Sequence, residues 1–328
     1  MTFEEFKEID TVKLINSEGI NISHFNPLPE YYDDYFNSKK YVSLMENTFS
    51  YLCSVREPVK YLEVEFSDGD VVCFVYKAIF FSNPSSLMLY EVPVSMHGNI
   101  NHIKDVLSGI SSKDFKTFMI IESSDYSVLV GSGVQFKSCI EGDTLYSNFY
   151  DSCDNIISTK DTQKFRTKYR FKFLNQHCKS DFKETLTEDE IDNILKLRTK
   201  WEGSMSQNVF NSKKFENSVK YSGSGTLNMI TTYDNEVVHY NKLYIKPNGC
   251  VRAFSTNASR LKTDNEERNK DLMNIEVYTR VPLAEYLKSN GIDYMYHLGT
   301  FPNDKGSGLL MYKRRVHEGC VLYNKVVL

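Results

Sequence analysis

The C-terminal part of the chain has a pattern of apolar and polar positions that predicts helix, strand, loop, helix and strand. Leu272–Asn290 has helical periodicity and ends at Gly291, a residue type that commonly follows the last turn of a helix. A β-rich run at Ile292–Leu298 leads into a loop rich in Gly, Pro, Asn and Asp. An amphipathic basic helix at Leu309–His317 and a strand at Val321–Leu328 complete the pattern. We interpret this order as the second half of an α/β domain.

The preceding residues predict a helix and then a three-stranded antiparallel meander. Thr187 and Glu190 fit a capping box in front of a mostly apolar helical face. Thr226–Tyr233, Glu236–Ile245 and Cys250–Thr256 have the composition of strands, and turn-forming residues separate them. The helical pattern that follows contains a proline, Pro282, which is expected to kink or split it.

Residues 1–159 are predicted to be rich in strands. Ser67–Asp70 lies between two strongly apolar runs and predicts a hairpin. Further strands are expected at residues 86–94 and 115–123, and the apolar run at 124–136 is interpreted as a continuation of the sheet. A short helix is predicted at Asn101–Leu107. We find no cluster of charged residues in this part that predicts a site.

Length, charge and cysteine content narrow the class of protein. A chain of 328 residues accommodates two domains, and the polar stretch near residue 160 predicts a division into 1–159 and 160–328. A net charge of −4 gives no general attraction to nucleic acid or membranes. Seven cysteines without a CxxC pair argue against a disulfide framework or a zinc site. The start of the sequence lacks a signal-peptide pattern and no run is apolar enough to span a bilayer, so a cytoplasmic location is expected.

The segment Lys160–Lys179 is strongly basic, with aromatic residues at positions 165, 169 and 173. Helical spacing places these aromatic residues on one face. Either the helix packs through them and leaves a solvated cationic face, or the cations contact phosphate groups. Together with Lys313–Arg315, the segment is a candidate surface for tRNA or DNA.

Several motifs near the C-terminus resemble the Fem-like and BioF2-like branch of the GNAT (N-acetyltransferase-like) superfamily. The likeness covers roughly residues 160–320 and includes the helix that ends at Gly291, the strand end His297–Gly299, Gly308-Leu309 and Tyr312-Lys313. The resemblance implies an α+β or α/β GNAT-like fold with a mixed, mainly antiparallel sheet. It also implies two tandem GNAT-like units, the first of them degenerate.

The same resemblance implies an acyl- or aminoacyltransferase that uses acyl-CoA or aminoacyl-tRNA as donor, an amine-bearing acceptor and no metal. Enzymes that use acetyl-CoA place a glycine-rich loop after the fourth strand, where backbone N–H groups hold the pyrophosphate. The corresponding stretch, Ser255–Asp271, contains no glycine, which weakens acetyl-CoA as the donor.

Acyl transfer to an amine needs a base, oxyanion donors and an acid for the leaving group. Our catalytic candidates are His297 as base, Tyr312 as acid and His239 on a neighbouring strand. Each also has an ordinary structural interpretation as a core or hydrogen-bonded side chain.

Four cationic residues are candidates for binding the donor: Lys313, Arg252, Lys305 and Arg314. Solvated helix or turn positions are the alternative for them. Two other functions stay open, namely a GNAT-fold enzyme that modifies a nucleic-acid base, suited to an AT-rich viral genome, and a non-catalytic GNAT-fold binding module. The sequence contains no P-loop, GxGxxG, HExxH or GxSxG motif.

Overall fold

A computed structural model of the chain describes residues 21–24, 59–79, 86–89, 92–111, 116–140, 147–159, 171–204, 212–223, 225–246, 249–300 and 317–328. These residues form two compact units. Unit 1 takes the described residues up to Asn148, residues 299–300 and Cys320–Leu328, and unit 2 takes Phe149–Leu298 and residues 317–319. The division into domains 1–159 and 160–328 stays a prediction. The compact units separate between residues 148 and 149, and the last strand belongs mainly to unit 1.

Unit 1 is built on a mixed sheet with helices α1 and α2. Its elements are β1 (Asn21–His24), β2 (Val59–Glu65), β3 (Val71–Ile79), β4 (Ser86–Leu89), β5 (Val94–Ser95), α1 (Ile100–Ser111), β6 (Lys116–Glu122), α2 (Ser123–Gly131), β7 (Ser138–Ile140) and β14 (Gly319–Val327). The strand order is β1-β2-β3-β4-β6-β14, with β5 on β3 and β7 on β14. Strands β4 and β6 are parallel, and the other pairs with a described register are antiparallel.

The predicted hairpin in unit 1 is confirmed. Strands β2 and β3 are antiparallel with Glu65 opposite Val71, and Phe66 N donates to Asp70 O at 2.8 Å across the turn. Gly69 has φ +84°, a backbone conformation that glycine adopts without steric cost. The sheet and α1 share a core that includes Val72, Phe74 and Leu107.

The interpretation of residues 124–136 as a strand is wrong, because α2 occupies Ser123–Gly131. The apolar run Val128–Val130 suggested a continuation of the sheet; in α2 Leu129 is buried, whereas Val128 and Val130 are more than 40% exposed. The Ser-Ser-Asp sequence that begins the segment is typical of a helix N-terminus, and that local signal prevails over the apolar pattern.

Unit 2 holds a second mixed sheet flanked by helices. Its elements are β8 (Ser147–Ser152), α3 (Cys153–Thr159), α4 (Phe171–His177), β9 (Cys178–Lys183), α5 (Glu188–Gly203), α6 (Ser212–Lys220), β10 (Thr226–Tyr233), β11 (Glu236–Lys246), β12 (Gly249–Asn257), α7 (Glu266–Leu272), α8 (Ile275–Tyr278), α9 (Arg280–Ser289) and β13 (Tyr294–Thr300). The strand order is β8-β13-β12-β11-β10-β9. None of the helices described in the two units is both long and apolar enough to cross a membrane.

Local signals explain most of these elements. Thr187 and Glu190 form the predicted capping box at the start of α5. The predicted meander β10-β11-β12 is antiparallel, and Asp234 and Asn235 take positive φ angles in its first turn. Pro282 lies in the first turn of α9, where a missing N–H costs little, and the helical pattern is split before it, as predicted.

The described end of the basic segment packs differently from the prediction. In α4 the buried side chain is Leu174, and the Phe171 ring packs at a tilt against Tyr278, with ring centroids 5.3 Å apart. Phe173, which belongs to the predicted aromatic face, is 50% exposed. Residues 160–170 and the basic helix at 309–316 lie outside the described residues.

Strands β12 and β13 are parallel but stay paired for only a short distance. Their register within the described residues consists of Cys250↔Met295 and Val251↔Tyr296. Strand β12 continues to Asn257 and β13 to Thr300, so the two strands run on beyond their last register pair.

Candidate functional site

Three of the seven predicted site residues lie in the described part of unit 2. His297 is in β13, His239 in β11 and Arg252 in β12. The other four, Tyr312, Lys313, Lys305 and Arg314, lie outside the described residues. Their roles stay predictions.

His297 is buried against a carboxylate that the sequence analysis did not single out. Its Nε2 lies 2.9 Å from Asp151 Oδ2, and both residues are less than 5% exposed. His317 Nδ1 approaches the same oxygen at 2.7 Å, and Glu318 N donates to Asp151 Oδ1 at 2.9 Å. The carboxylate of Asp151 therefore accepts hydrogen bonds from β13 and from the residues just before β14.

Arg280, at the start of α9, completes this network. Its Nη2 lies 3.3 Å from His317 Nε2, and its Nη1 lies 3.6 Å from Asp151 Oδ2. We call Asp151, His297, His317 and Arg280 the aspartate–histidine network.

The protons of this network can be assigned from its donors. A guanidinium only donates, so His317 Nε2 accepts from Arg280, and His317 Nδ1 carries the proton that goes to Asp151. Asp151 as a carboxylate only accepts, so His297 Nε2–H donates to it as well. The bare nitrogen of His297 is therefore Nδ1, which is buried and has no hydrogen-bond partner among the described residues.

The electrostatics support this assignment. Burial opposes ionisation of Asp151, but the hydrogen bonds from His297 and His317 and the charge of Arg280 hold its pKa well below the usual range. Burial, together with the charges of Arg252 and Arg280, lowers the pKa of His297 to about 3. His297 is thus neutral at physiological pH, with a lone pair on Nδ1.

The other two described candidates meet at a second carboxylate, Glu276 of α8. His239 Nε2 lies 3.1 Å from Glu276 Oε2, and Arg252 Nη1 bonds Oε1 of the same group. Asn257 Nδ2 donates to Glu276 Oε2 at 3.2 Å. Burial opposes ionisation of Glu276, yet Arg252 and His239 hold its pKa well below the usual range. The arrangement connects β11 and β12 to α8.

A pocket lies between the sheet and helices α8 and α9, where β12 and β13 have their last register pairs. Its cavity has a volume of about 10 Å³, the room needed by one buried water. His297, Arg252, Glu276 and Asn241 contribute to its walls. His239 is absent from the pocket's described lining.

Asp151, His297 and His317 offer ligand atoms within 4.8 Å of one another, the spacing of a metal site. A bound cation would require the proton of each histidine on its outer nitrogen, where metal-binding histidines normally donate to an acceptor. In His317 that nitrogen faces the Arg280 guanidinium, and in His297 it meets no acceptor among the described residues. The donors therefore fit a hydrogen-bonded network better than a cation. That the reaction needs no metal stays a prediction.

Asp151, Glu276 and Asn241 were missed by the sequence analysis. Asp151 stands at the end of an aromatic run within the stretch interpreted as a domain boundary, and its histidine partners lie 146 and 166 residues away. The only sequence signal for Asp151 was its position as a carboxylate after an aromatic run, and no nearby residue links it to His297.

The described residues test little of the predicted nucleic-acid surface. Lys179 pairs with Asp181 at 2.9 Å, and Lys183 pairs with Glu190. Binding of tRNA or DNA by Lys160–Lys179 and Lys313–Arg315 stays a prediction.

Comparisons with known proteins show the fold. No family model matches the sequence, and no curated protein matches it. Among solved structures, a conserved protein of unknown function from Bacteroides thetaiotaomicron VPI-5482 is similar with TM-score 0.60 and 13% identity, over 87% of this chain and 91% of that one.

Two further structures are similar over most of their length. FemX matches with TM-score 0.54 and 11% identity, over 82% of this chain and 88% of that one. L-PGS from Bacillus licheniformis matches with TM-score 0.51 and 12% identity, over 84% and 86% of the two chains. At these identities the likeness concerns the fold. The chain has the mixed α+β GNAT fold, and its resemblance to Fem-like proteins of that fold, predicted from the sequence, is confirmed.

Proposed function

We propose that the protein is an acyl- or aminoacyltransferase that moves an acyl group from an activated donor, acyl-CoA or aminoacyl-tRNA, to an amine. The observation that carries this proposal is the bare, buried Nδ1 of His297 beside a cavity where two parallel strands stop pairing. The GNAT fold supports a transferase of this general kind.

His297 is the proposed proton acceptor. The amine nitrogen attacks the carbonyl carbon of the donor, its lone pair forms the new C–N bond, and the π electrons of the carbonyl move to oxygen. His297 Nδ1 takes a proton from the nitrogen, and Asp151 stabilises the resulting imidazolium through the bond to Nε2, 2.9 Å away. The intermediate then collapses, the bond to the leaving group breaks, and the leaving group takes a proton.

Arg252 is the proposed oxyanion donor. Its Nη1 is held by Glu276, whereas its Nε is buried and has no partner among the described residues. A preorganised cationic N–H in a water-poor site stabilises the charge that develops on the carbonyl oxygen. Removal of such a donor typically lowers the rate about 100- to 1000-fold.

Direct attack fits the pocket better than an acyl-enzyme on cysteine. Cys250 lines the cavity, but it is fully buried, and burial raises the pKa of its thiol. A nucleophilic cysteine needs the opposite shift, toward the thiolate.

Roles for the residues outside the described part remain proposals on the strength of the resemblance. Tyr312 would protonate the leaving group, and Lys313, Lys305 and Arg314 would contact the phosphates of the donor. The absence of glycine in Ser255–Asp271 favours aminoacyl-tRNA over acetyl-CoA.

The test is to identify co-purifying small molecules and nucleic acid by mass spectrometry, and then to assay transfer with panels of acyl-CoA and aminoacyl-tRNA donors. We expect transfer with at least one donor class and its loss in His297→Gln, which keeps a donor toward Asp151 but removes Nδ1. Equal transfer by His297→Gln and the wild type would contradict the proposed base. No transfer with either class would favour the binding module, and base modification in co-purified nucleic acid would favour the nucleic-acid enzyme.

A further inference from the structure

The carboxylate of Glu276 is the common acceptor for three side chains from the adjacent strands. Arg252 Nη1 donates to Oε1, His239 Nε2 lies 3.1 Å from Oε2, and Asn257 Nδ2 donates to Oε2 at 3.2 Å. Glu276 belongs to α8, whereas its partners belong to β11 and β12. Both oxygens of the carboxylate are therefore held by strands that line the pocket.

His239 supports this carboxylate from a fully buried position. A carboxylate only accepts hydrogen bonds, so His239 Nε2 carries the proton of the contact with Glu276. Thr279 Oγ1 donates to the backbone oxygen of Glu276 at 3.1 Å, which holds the same residue from the side of α8. The Glu276 side chain is thus fixed at its carboxylate and near its backbone.

Arg252 has one end of its guanidinium on Glu276 and another end at the pocket. Its Nη1 bonds the carboxylate, whereas its Nε is buried and finds no partner in the part of the chain that the structure describes. Arg252 lines the pocket. Because the guanidinium is a planar, rigid fork, a bond at one nitrogen restricts the direction of the other N–H groups. The contact with Glu276 therefore bears on where Nε–H points.

We propose that Glu276 is a positioning residue that orients the Arg252 guanidinium so that Nε–H faces the pocket, with His239 and Asn257 holding the carboxylate. The inference rests on the proposed acyl transfer, in which Arg252 Nε–H donates to the carbonyl oxygen of the donor. Glu276 acts through Arg252 and does not touch the reacting atoms. A donor that is oriented in advance stabilises the developing charge without reorganising during the reaction.

A purely structural role for Glu276 leads to a different result. If the carboxylate only connects α8 to the sheet, its loss affects the rate whether or not Arg252 is present. If it acts through Arg252, its loss has no further effect on the rate once Arg252 has been replaced. A double-mutant cycle separates these two cases, because residues that act through each other are not additive.

The first experiment measures the orientation of Arg252 without transfer. NMR relaxation on the full chain gives the order parameter of the Arg252 ¹⁵Nε–¹Hε bond, and the resonance is assigned by its loss in Arg252→Lys. We expect about 0.8 or more in the wild type, the range of a rigid group, and less than about 0.6 in Glu276→Gln. The amide lacks the charge that strengthens the bond to Arg252, and its NH₂ group faces other donors.

Glu266→Gln is the matched control for the loss of a carboxylate. Glu266 lies in the first turn of α7 and is exposed. The same substitution at this position should leave the order parameter of Arg252 Nε–H unchanged and kcat within about twofold of the wild type.

The second experiment is the cycle itself, with kcat measured for the donor class that supports transfer. Glu276→Gln alone should lower kcat about tenfold, a coupling usual for residues in contact. In the Arg252→Gln background the same change should alter kcat by less than about twofold.

An equally rigid Arg252 Nε–H in Glu276→Gln, or a mobile one in the wild type, overturns the positioning role. A further tenfold loss of kcat when Glu276→Gln is added to Arg252→Gln overturns it as well. The wild-type order parameter does not depend on whether any variant folds. If the order parameters are as expected and no donor supports transfer, the positioning of Arg252 stands and the proposed function fails.

Discussion

Each unit buries an aspartate that accepts a hydrogen bond from a histidine, but the second ring nitrogen of the two histidines has different surroundings. In unit 1 Asp70 is fully buried and lies 2.6 Å from His102 Nδ1, while His102 Nε2 meets Asn99 Nδ2 at 3.2 Å. In unit 2 His297 has the same kind of bond to Asp151, but its second nitrogen has no partner among the described residues. A histidine with both nitrogens engaged holds the fold together, whereas one with a bare nitrogen at a cavity is available to a substrate.

The surroundings of Asp70 support its structural role. Ser95 Oγ donates to Asp70 Oδ2 at 2.7 Å and itself accepts from Asn99 N at 2.7 Å. His97 N donates to Asp70 Oδ1 at 2.9 Å. The carboxylate thus links the β2–β3 turn to the residues that precede α1.

The largest expected effect separates the two histidines by activity. His297→Gln should lower the rate of acyl transfer by about 100- to 10 000-fold, because it removes the proton acceptor and keeps a donor toward Asp151. His102→Asn, whose amide can replace Nδ1–H toward Asp70, should change the rate by less than about twofold. Both rates are measured by steady-state kinetics with whichever donor class supports transfer in the assay proposed above. A similar loss in the two variants would abolish the distinction between them.

The next effect separates the two aspartates by stability. Asp70→Asn places an amide opposite three donors and should lower the free energy of unfolding by about 3 kcal/mol. Urea unfolding monitored by circular dichroism measures it, with Asp105→Asn, at an exposed position of α1, as control, expected within about 0.5 kcal/mol. If Asp70→Asn is as stable as the wild type, the network in unit 1 has another role.

The dependence of stability on pH distinguishes the two networks further. In the folded protein His297 has a pKa of about 3, against roughly 6.5 in the unfolded chain, so the unfolded chain binds a proton first as pH falls. The free energy of unfolding should therefore fall below about pH 6.5, by up to about 1.4 kcal/mol per pH unit for this group. Burial lowers the pKa of His297 most, the charges of Arg252, Arg280 and His317 lower it further, and the hydrogen bond to Asp151 opposes the shift.

His297→Gln should flatten that part of the curve, whereas Asp70→Asn should not. The pKa of Asp70 is lowered from 3.8, because bonds from Ser95, His102 and His97 outweigh its burial. Its stabilisation is present above pH 3.8 and is lost as the pH falls through the lower folded value. Urea unfolding from pH 7 to pH 3 tests both, and an unchanged slope in His297→Gln would contradict the neutral, buried state of this histidine.

The smallest expected effect concerns the contact that Glu318 makes with Asp151. That contact comes from the backbone N–H, while the Glu318 side chain accepts from Ser152 N at 2.8 Å near the start of α3. Glu318→Ala should therefore cost about 0.5–1 kcal/mol and leave transfer within about twofold. Thermal unfolding and the transfer assay check this, and a large loss of activity would give the side chain a direct role.

Local signals were sufficient for much of the fold. The capping box at Thr187, the β2–β3 hairpin and the split before Pro282 are each determined by residues a few positions apart. The interpretation of 124–136 as a strand was wrong because Ser123–Gly131 is a helix, and an apolar run as short as this does not by itself distinguish a helix from a strand.

The sequence by itself predicted the β2–β3 hairpin, the β10–β12 meander and the capped helix α5, together with the GNAT resemblance and the choice of His297 as a candidate base. Only the tertiary structure brought Asp151 and His317 to that histidine and showed that its Nδ1 has no partner among the residues that the structure describes. It also joined His239 and Arg252 through Glu276 and placed Asn241 at the cavity. The physical reason is that hydrogen-bond geometry at a site depends on residues far apart in the chain, whose meeting leaves no periodic signal. Hydrophobic patterns indicate which face of a helix or strand is buried, but not which side chains of other elements it contacts.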